Sequence, residues 1–410
     1  MHAILSSEPC DNPRSLNRDT RTQVVIVGAG PAGLMLGHLL HLAGIDSVIL
    51  ETRPEDYVID RVRAGVLEQG TVDLLNTTGV GDRLRAEGLR HEGIHIAFSG
   101  RRHRIDFAEL TGGRAITVYG QNEVVKDLIA ARVATGRPLV FEVDGVRLDA
   151  LTSTRPTVHF RQHGDLQTIA CDFVAGCDGF HGVCRPSIPA NDLRVYEREY
   201  PFAWLGILAD APPSSDELVY SLHERGFALF SMRSPSVTRL YLQCSPDEDL
   251  AAWSDDRIWE ELGTRLGTDE GWRPNEGRIT QKSVTPMRSF VAEPMRYWRL
   301  FLAGDAAHIV PPTGAKGLNL AMSDVSRLAD ALARFFQAGD SSRLDSYSDS
   351  ALRRAWRAQR FSWWMTSMLH RSLEDTAFDY KRQLAELDYV VSSRAAMTSL
   401  AENYVGQPFD

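Results

Sequence analysis

The tightest constraint on this chain is local. Residues 22–27, TQVVIV, are a run of β-formers. GAGPAG follows at once (Gly28, Ala29, Gly30, Pro31, Ala32, Gly33), then the apolar-periodic stretch Leu34–Ala43. A second strand-like run, Ile45–Leu50, ends at Glu51. A strand, glycines spaced G-x-G-x-x-G, a helix and an acid about 20 residues on form the pattern of a dinucleotide site. Gly28 allows the tight turn, Gly30 lets the backbone approach a pyrophosphate, and Gly33 lets helix and strand pack closely. The helix N-terminus offers free N–H groups and partial positive charge to the anion. Glu51 can accept hydrogen bonds from both ribose hydroxyls. The alternative is a tight glycine turn with no ligand. The motif alone does not separate NAD from FAD.

Two later segments point the same way. Arg299–Ala303 reads as a strand with Asp305 at its carboxyl end, where open α/β sheets bind ligands; Asp305 is placed to hydrogen-bond a ribityl hydroxyl there. Beyond Pro311-Pro312, the glycine-rich turn Thr313–Gly317 carries Lys316 ahead of a helix beginning near Leu318. That suggests a phosphate cradle, but Gly317 rather than Ser or Thr follows Lys316, so it is no Walker loop. Gly314 and Gly317 would instead let the backbone pass close to a flat ligand, and the helix N-terminus would stabilise negative charge on it. The plain alternative is a proline-kinked loop capping a core helix. In the middle of the chain, Phe173–Ala175 leads into GCDGFHGVCR, residues 176–185. If that segment is helical, His181 and Arg185 share a face; otherwise both are ordinary surface residues.

The runs Phe227–Arg233 and Thr238–Cys244, joined by residues 234–237, read as a β-hairpin. With side chains alternating, Ser231 and Arg233 share a face with Phe227 and Leu229, and Arg239, Tyr241 and Gln243 share one on the second strand. A guanidinium flanked by hydroxyl donors suits a carboxylate. The competing reading is a solvated edge with an incidental arginine.

Composition removes other classes. The 410 residues carry a net charge of −9, which argues against a nucleic-acid partner. No apolar run approaches the roughly 18 residues of a membrane span. The five cysteines are odd in number and lack C-x-x-C spacing, so neither a disulfide framework nor a metal site is expected. Free thiols fit a cytoplasmic protein. Residues 1–21 are polar and read as a disordered leader.

GAGPAG with its acid, DGFHGVCR and GDAAHIVPPTGAKGLN together resemble the single-component, class A FAD-dependent aromatic monooxygenases, from about Thr22 onward. RVRAGVLEQGTVDLL, YGQNEV, YPFAWLG, RSFVAEPM, RFSWWMTSMLHR and AENYVG are similar to the members that hydroxylate 4-hydroxybenzoate at C3. The resemblance implies an α/β fold: a Rossmann-like FAD-binding domain (22–193), a mixed-sheet substrate domain (194–297), a second FAD-contact segment (298–322) and a C-terminal helical region (323–410). It implies FAD as cofactor, NADPH or NADH and O2 as co-substrates, a flavin C4a-hydroperoxide as the hydroxylating species, and a homodimer. It also implies that Ser231, Arg233 and Tyr241 hold the benzoate carboxylate, and that Tyr220 contacts the phenol oxygen. Tyr404 passes the proton on and His91 stands at the solvent end of the relay. Pro312 offers a carbonyl near the transferred hydroxyl, and Asn319, with Gly317 and Leu318, lies by the flavin. Arg63 and Gln121 contact FAD. Arg61, His181, Arg185 and Arg288 receive the nicotinamide nucleotide.

Local chemistry refines these expectations. Arg53 can pair with a 2′-phosphate while Glu55 would repel it, so NADPH with appreciable NADH use is expected. Cys184 stands where serine is expected and reads as a small isostere. The stripe around Phe361–Met365 and Met368-Leu369 reads as core, with an interface as the alternative. The competing functions are a 4-aminobenzoate hydroxylase and a flavin-binding sensor without turnover. The tyrosine pair favours a phenol, because an aniline has no comparable proton to lose.

Overall fold

The computed structural model describes residues 19–61 and 65–409. Val24–Val27 is buried at every position and forms the middle of a six-stranded sheet. The order is Arg296–Tyr297, Leu300–Leu302, Phe173–Gly176, Val24–Val27, Ser47–Leu50, Leu139–Val140; all neighbours are parallel except the first pair. Near-continuous apolar runs suit strands covered on both faces. Helix Pro31–Leu42 makes the crossover between Val24–Val27 and Ser47–Leu50, and helices Gln121–Ala134 and Gly317–Ala338 pack against it. Three adjacent parallel strands therefore end on one side, at Gly28, at Cys177-Asp178 and at Gly304-Asp305. Gly28 (φ +105°) runs so close to the carbonyl of Cys177 that a Cβ has no room.

A second, eight-stranded sheet has the order His308–Ile309, Arg278–Glu293, Arg194–Asp210, Val237–Cys244, Ala228–Ser234, Val219–Ser221, Gly93–Phe98, Arg101–Asp106. One face packs on helix Asp255–Leu266 through Val219, Phe230, Leu240 and Leu242. The other presents Tyr220, Phe227, Leu229 and Tyr241 to the C-terminal helices Tyr347–Leu369, Ala377–Ser392 and Arg394–Val405.

Several expectations need correction. The second sheet is not confined to 194–297. It takes Gly93–Phe98 and Arg101–Asp106 from within 22–193, because Val219–Ser221 pairs in parallel with His95–Ala97 and would otherwise be an open edge. Of the leader, Asp19–Arg21 form a strand alongside Thr168–Ala170, while residues 1–18 lie outside the described residues. The segment after Gly176 is not an α-helix; only Arg185–Ser187 make a 3-10 turn. Gly179 is left-handed (φ +75°), and Asp178 Oδ2 accepts the Cys184 N–H at 2.8 Å, closing the loop on itself. The hairpin turn is tighter than expected, with strands running to Ser234 and from Val237. In the C-terminal stripe Phe361, Met365, Met368 and Leu369 are core, and Trp363 is exposed.

Candidate active site

The first cleft is built on the glycine turn. Gly33 packs directly on the Gly28 carbonyl, which fixes the helix against the strand. Over Gly30 the space is open: a Cβ there would meet no atom of the described residues within 4 Å. The helix that follows has neither a side-chain cap nor an acid in its first turn, so its N–H groups are available. Glu51 Oε2 accepts the Ala29 N–H at 2.7 Å and Oε1 accepts that of Arg53 at 2.9 Å. Its carboxylate is thus held beside the turn with lone pairs left for hydroxyl donors. Half-buried Asp305 follows the neighbouring strand, and Gly317 also has open space around its missing Cβ. Gln121 opens a helix whose cap, Gly120, likewise contributes no side chain. Open glycine approaches, uncapped helix N-termini and flanking carboxylates fit a bound dinucleotide. Arg61 closes the helix Glu55–Asp60, and Arg63 lies outside the described residues.

Tyr220, Leu229 and Tyr241 form one cross-strand row on the second sheet, with Ser231 opposite Arg239 beside it. A register break between Met232 and Ser234 sets Arg233 apart from the regular ladder. Arg233 Nη2 donates to Asn122 Oδ1 at 2.9 Å, and among the described residues no carboxylate pairs with it. Burial, with Arg239 nearby, lowers its affinity for a proton, so the charged form is held at a cost. Arg239 Nε donates to Tyr241 Oη at 2.5 Å. Arg239 was placed on this face by strand alternation, whereas Asn122 is a site residue that composition and spacing did not single out; it becomes visible only when the hairpin meets the start of helix 121–134.

At the other end of this face Tyr220 and Tyr404 share a short hydroxyl–hydroxyl hydrogen bond, both side chains 1% exposed. Burial pushes both phenols above their ordinary range, so both stay protonated. Phe107 and Phe361 pack on the Tyr404 ring. His91 is not at a solvent surface as expected. It is buried, with Nε2 3.4 Å from Met232 Sδ and Nδ1 without a partner among the described residues. Burial, outweighing Glu217 and Asp216, pushes its pKa down to about 4, so it is neutral.

Two side chains of the late glycine loop are engaged within the protein. Asn319 is buried and fully engaged: Oδ1 accepts from Glu68 N (2.9 Å) and Thr71 Oγ1 (2.8 Å), while Nδ2 donates to Val66 O (3.0 Å) and Ala315 O (2.8 Å). Its side chain ties the loop to residues 66–71 and is not available for chemistry. Lys316 likewise cradles no phosphate. It is buried and ion-paired to Glu68 at 2.6 Å. The Pro312 carbonyl accepts the Ala315 N–H at 2.9 Å, which leaves one lone pair.

The expected nicotinamide group is only partly assembled. Arg185 and Arg288 both stack on Phe180, at 4.8 and 4.7 Å, beside exposed His181. Arg185 donates to the Ala306 and Phe180 carbonyls at 3.0 and 2.6 Å, and Arg288 pairs with Glu197 and Glu199. Arg185 is therefore a brace for the Gly304–Ala306 turn, not a free cation. Arg53, over the Tyr57 ring at 5.2 Å, follows the strand on the other side of Val24–Val27.

Comparison with known proteins agrees with this geometry. The family described as FAD binding domain matches residues 21–362. The chain is 51% identical over 390 residues to the p-hydroxybenzoate hydroxylase of Acinetobacter baylyi, covering 95% of this chain and 96% of that one. It is 28% identical over 346 residues to a 3-(3-hydroxy-phenyl)propionate/3-hydroxycinnamic acid hydroxylase of Mycobacterium sp. (strain JLS), covering 82% of this chain and 58% of that one. Among solved structures, p-nitrophenol 4-monooxygenase PnpA from Pseudomonas putida DLL-E4 superposes with a TM-score of 0.80 at 20% identity, covering 95% of this chain and all of that one.

Proposed function

The chain belongs to the FAD-binding family of class A flavoprotein aromatic monooxygenases, and from that premise we propose that it hydroxylates 4-hydroxybenzoate at C3 to 3,4-dihydroxybenzoate, with NAD(P)H and O2 as co-substrates. One observation carries the choice of substrate. A single sheet face has at one end a half-buried guanidinium without a carboxylate partner among the described residues, and at the other a buried pair of phenols. A para-substituted aromatic acid satisfies both ends at once.

When bound, FAD supplies the redox chemistry, taking two electrons from NAD(P)H and activating O2 for transfer of one oxygen atom. The open approach at Gly30 and the N-termini of helices 31–42 and 317–338 would hold it, with Glu51 and Asp305 available to its hydroxyls. Arg233 takes the substrate carboxylate, assisted by the Ser231 and Tyr241 hydroxyls, and the anion offsets the cost of keeping that guanidinium charged. At the far end, ring attack ortho to the oxygen needs a phenolate, yet a free phenol ionises near pH 10. Tyr220 donates a hydrogen bond to the developing oxyanion, which favours ionisation, and passes the released proton to Tyr404. His91, held neutral by burial, has an Nδ1 without a partner among the described residues to take that proton onward. The remaining lone pair of Pro312 O accepts from the hydroxyl being transferred.

We assign NADPH as the preferred donor with NADH also used, supported by Arg53 beside the ribose acid and tempered by Glu55. We place the enzyme in the cytoplasm, which the four cysteines among the described residues, all free and buried, support. It acts as a homodimer, supported by the exposed Trp356, Trp363, Leu373 and Phe378 on and around the C-terminal helices.

The test is oxygen uptake by the FAD-loaded enzyme with NADPH and 4-hydroxybenzoate, with the product identified. Stoichiometric 3,4-dihydroxybenzoate is expected. Peroxide alone, or better coupling with 4-aminobenzoate, overturns the assignment.

A further inference from the structure

Tyr404 is the penultimate residue of helix Arg394–Val405. The last carbonyls of a helix lack backbone partners, and that end carries partial negative charge. Many helices close with a left-handed residue whose N–H returns to the last turn. Here Gly406 lies at φ +87°, ψ 156°, outside that conformation. Cationic side chains from three separate segments do the work instead. Lys316 Nζ, from the flavin loop, donates to the Asn403 carbonyl and, at 3.1 Å, to that of Tyr404. Arg114 Nη1 donates to Gly406 O at 3.0 Å. Arg354, on helix Tyr347–Leu369, donates through Nη1 to Pro408 O (2.8 Å) and through Nη2 to Gln407 O (2.9 Å). Its guanidinium also lies over the Phe409 ring at 4.9 Å, and that ring packs on Gly70. Glu68 sits between Lys316 (2.6 Å) and Arg354 (3.4 Å), and Gly406 passes against its carboxylate too closely for a Cβ.

Five carbonyls of residues 403–408 are thus held by Lys316, Arg114 and Arg354, none of which takes part in the chemistry. We propose that Arg354 and Arg114 are positioning residues of the proton relay, holding the Tyr404 hydroxyl on that of Tyr220 by gripping the backbone of residues 406–408. The inference rests on reading the tyrosine pair as the relay. Arg354 acts by geometry. Its two guanidinium nitrogens each take one carbonyl, a fork that lysine cannot reproduce while keeping the charge. The charged and titratable groups of the relay and its surroundings are Tyr220, Tyr241, His91, Lys316, Glu68, Arg354 and Arg114, so a charge effect must be separated from a positioning effect.

The experiment measures, in FAD-loaded protein, the pH at which bound 4-hydroxybenzoate ionises, read from its absorbance, together with product formed per NADPH oxidised. Variants are Arg354→Lys, Arg354→Met, Arg114→Lys and Tyr404→Phe, with the double variant Arg354→Lys/Tyr404→Phe. Positioning predicts that Arg354→Lys and Arg354→Met both raise the midpoint by about half a pH unit or more. Product yield should fall while FAD is retained, and Arg354→Lys should add nothing on the Tyr404→Phe background. A folded Arg354→Lys with unchanged midpoint and yield overturns the proposal, whether or not Arg354→Met shifts, as does full additivity in the double variant. If the Arg354 variants fail to fold, Arg114→Lys carries the same expected shift and the same refutation. If Tyr404→Phe alone leaves the midpoint and yield unchanged, the relay reading fails, a result distinct from failure of the clamp.

Discussion

At the scale of single residues, the two ends of the substrate face make separable predictions. Removing the Arg233 side chain leaves the substrate carboxylate without its cation in a largely dehydrated pocket. Arg233→Ala should therefore raise the substrate KM by about 100-fold while FAD is retained; a change below about threefold in steady-state assays removes the carboxylate clamp. Tyr220→Phe keeps the ring packing on Phe227 and loses only the hydroxyl held by Tyr404. Substrate binding should persist while hydroxylation falls by about 10²–10³, with extra peroxide released. Normal yield of 3,4-dihydroxybenzoate would exclude Tyr220 from the ionising step. Such residues were only partly legible. Ser231, Arg233 and Tyr241 lie in one hairpin, where alternation alone predicts a shared face. Tyr220 and Tyr404 stand 184 residues apart, so only the family resemblance joined them. The engagement of Asn319 and Lys316 was not legible, because a polar side chain in a glycine-rich loop looks available for a ligand. The partners that occupy them, Glu68 and Thr71, come from a segment about 250 residues earlier.

At the scale of elements, the glycine turn and the aromatic layer under the hairpin each respond to a defined change. Gly30→Val adds atoms where no atom of the described residues lies within 4 Å, so the fold should survive. FAD retention should weaken by about tenfold or more, measured as flavin per protein after gel filtration. Full flavin content would place the pyrophosphate elsewhere. Trp204 Nε1 donates to His370 Nε2 at 2.7 Å, and His370 Nδ1 lies 3.1 Å from the Thr366 carbonyl, so the imidazole must be neutral to accept the indole proton. Burial pushes its pKa down to about 3, and that of His91 to about 4. The unfolded chain, with histidines near 6.5, binds more protons than the folded one between those values. Stability is therefore full above about pH 6.5 and falls as pH drops toward 3, by at most about 1.4 kcal/mol per pH unit for each histidine. Thermal melts from pH 7 to pH 4.5 should show this decline, and it should be shallower in His370→Gln. An equal slope in wild type and variant would contradict the assignment.

Across the whole molecule, the C-terminal helices divide their apolar residues between two tasks. Phe361, Met365, Met368 and Leu369 turn inward, whereas Trp356 and Trp363 remain 42% and 45% exposed. A stripe read along the sequence cannot make this distinction, because inward and outward positions differ by only one or two residues. Trp356 and Trp363, seven residues apart on one helix, are the side chains that the proposed dimer would cover. Sedimentation should give a dimer for the native chain and a shift toward monomer for Trp363→Glu; a native monomer would leave these tryptophans without a role. The same division between local and distant information explains the rest of the fold. Strand, glycine turn and helix are consecutive, so the nucleotide sheet was readable; the pairing of His95–Ala97 with Val219–Ser221 joins residues more than 120 positions apart, and no local pattern announces it.

That distant pairing has a consequence for how the polypeptide can be divided. Cutting the gene after residue 193 would strand the hairpin 93–106 on one fragment and the six remaining strands of its sheet on the other. Neither product would be a finished body, and limited proteolysis should release no stable half. Co-expressed pieces would have to find each other before either gained colour, which makes this boundary a natural place to build a reporter of association.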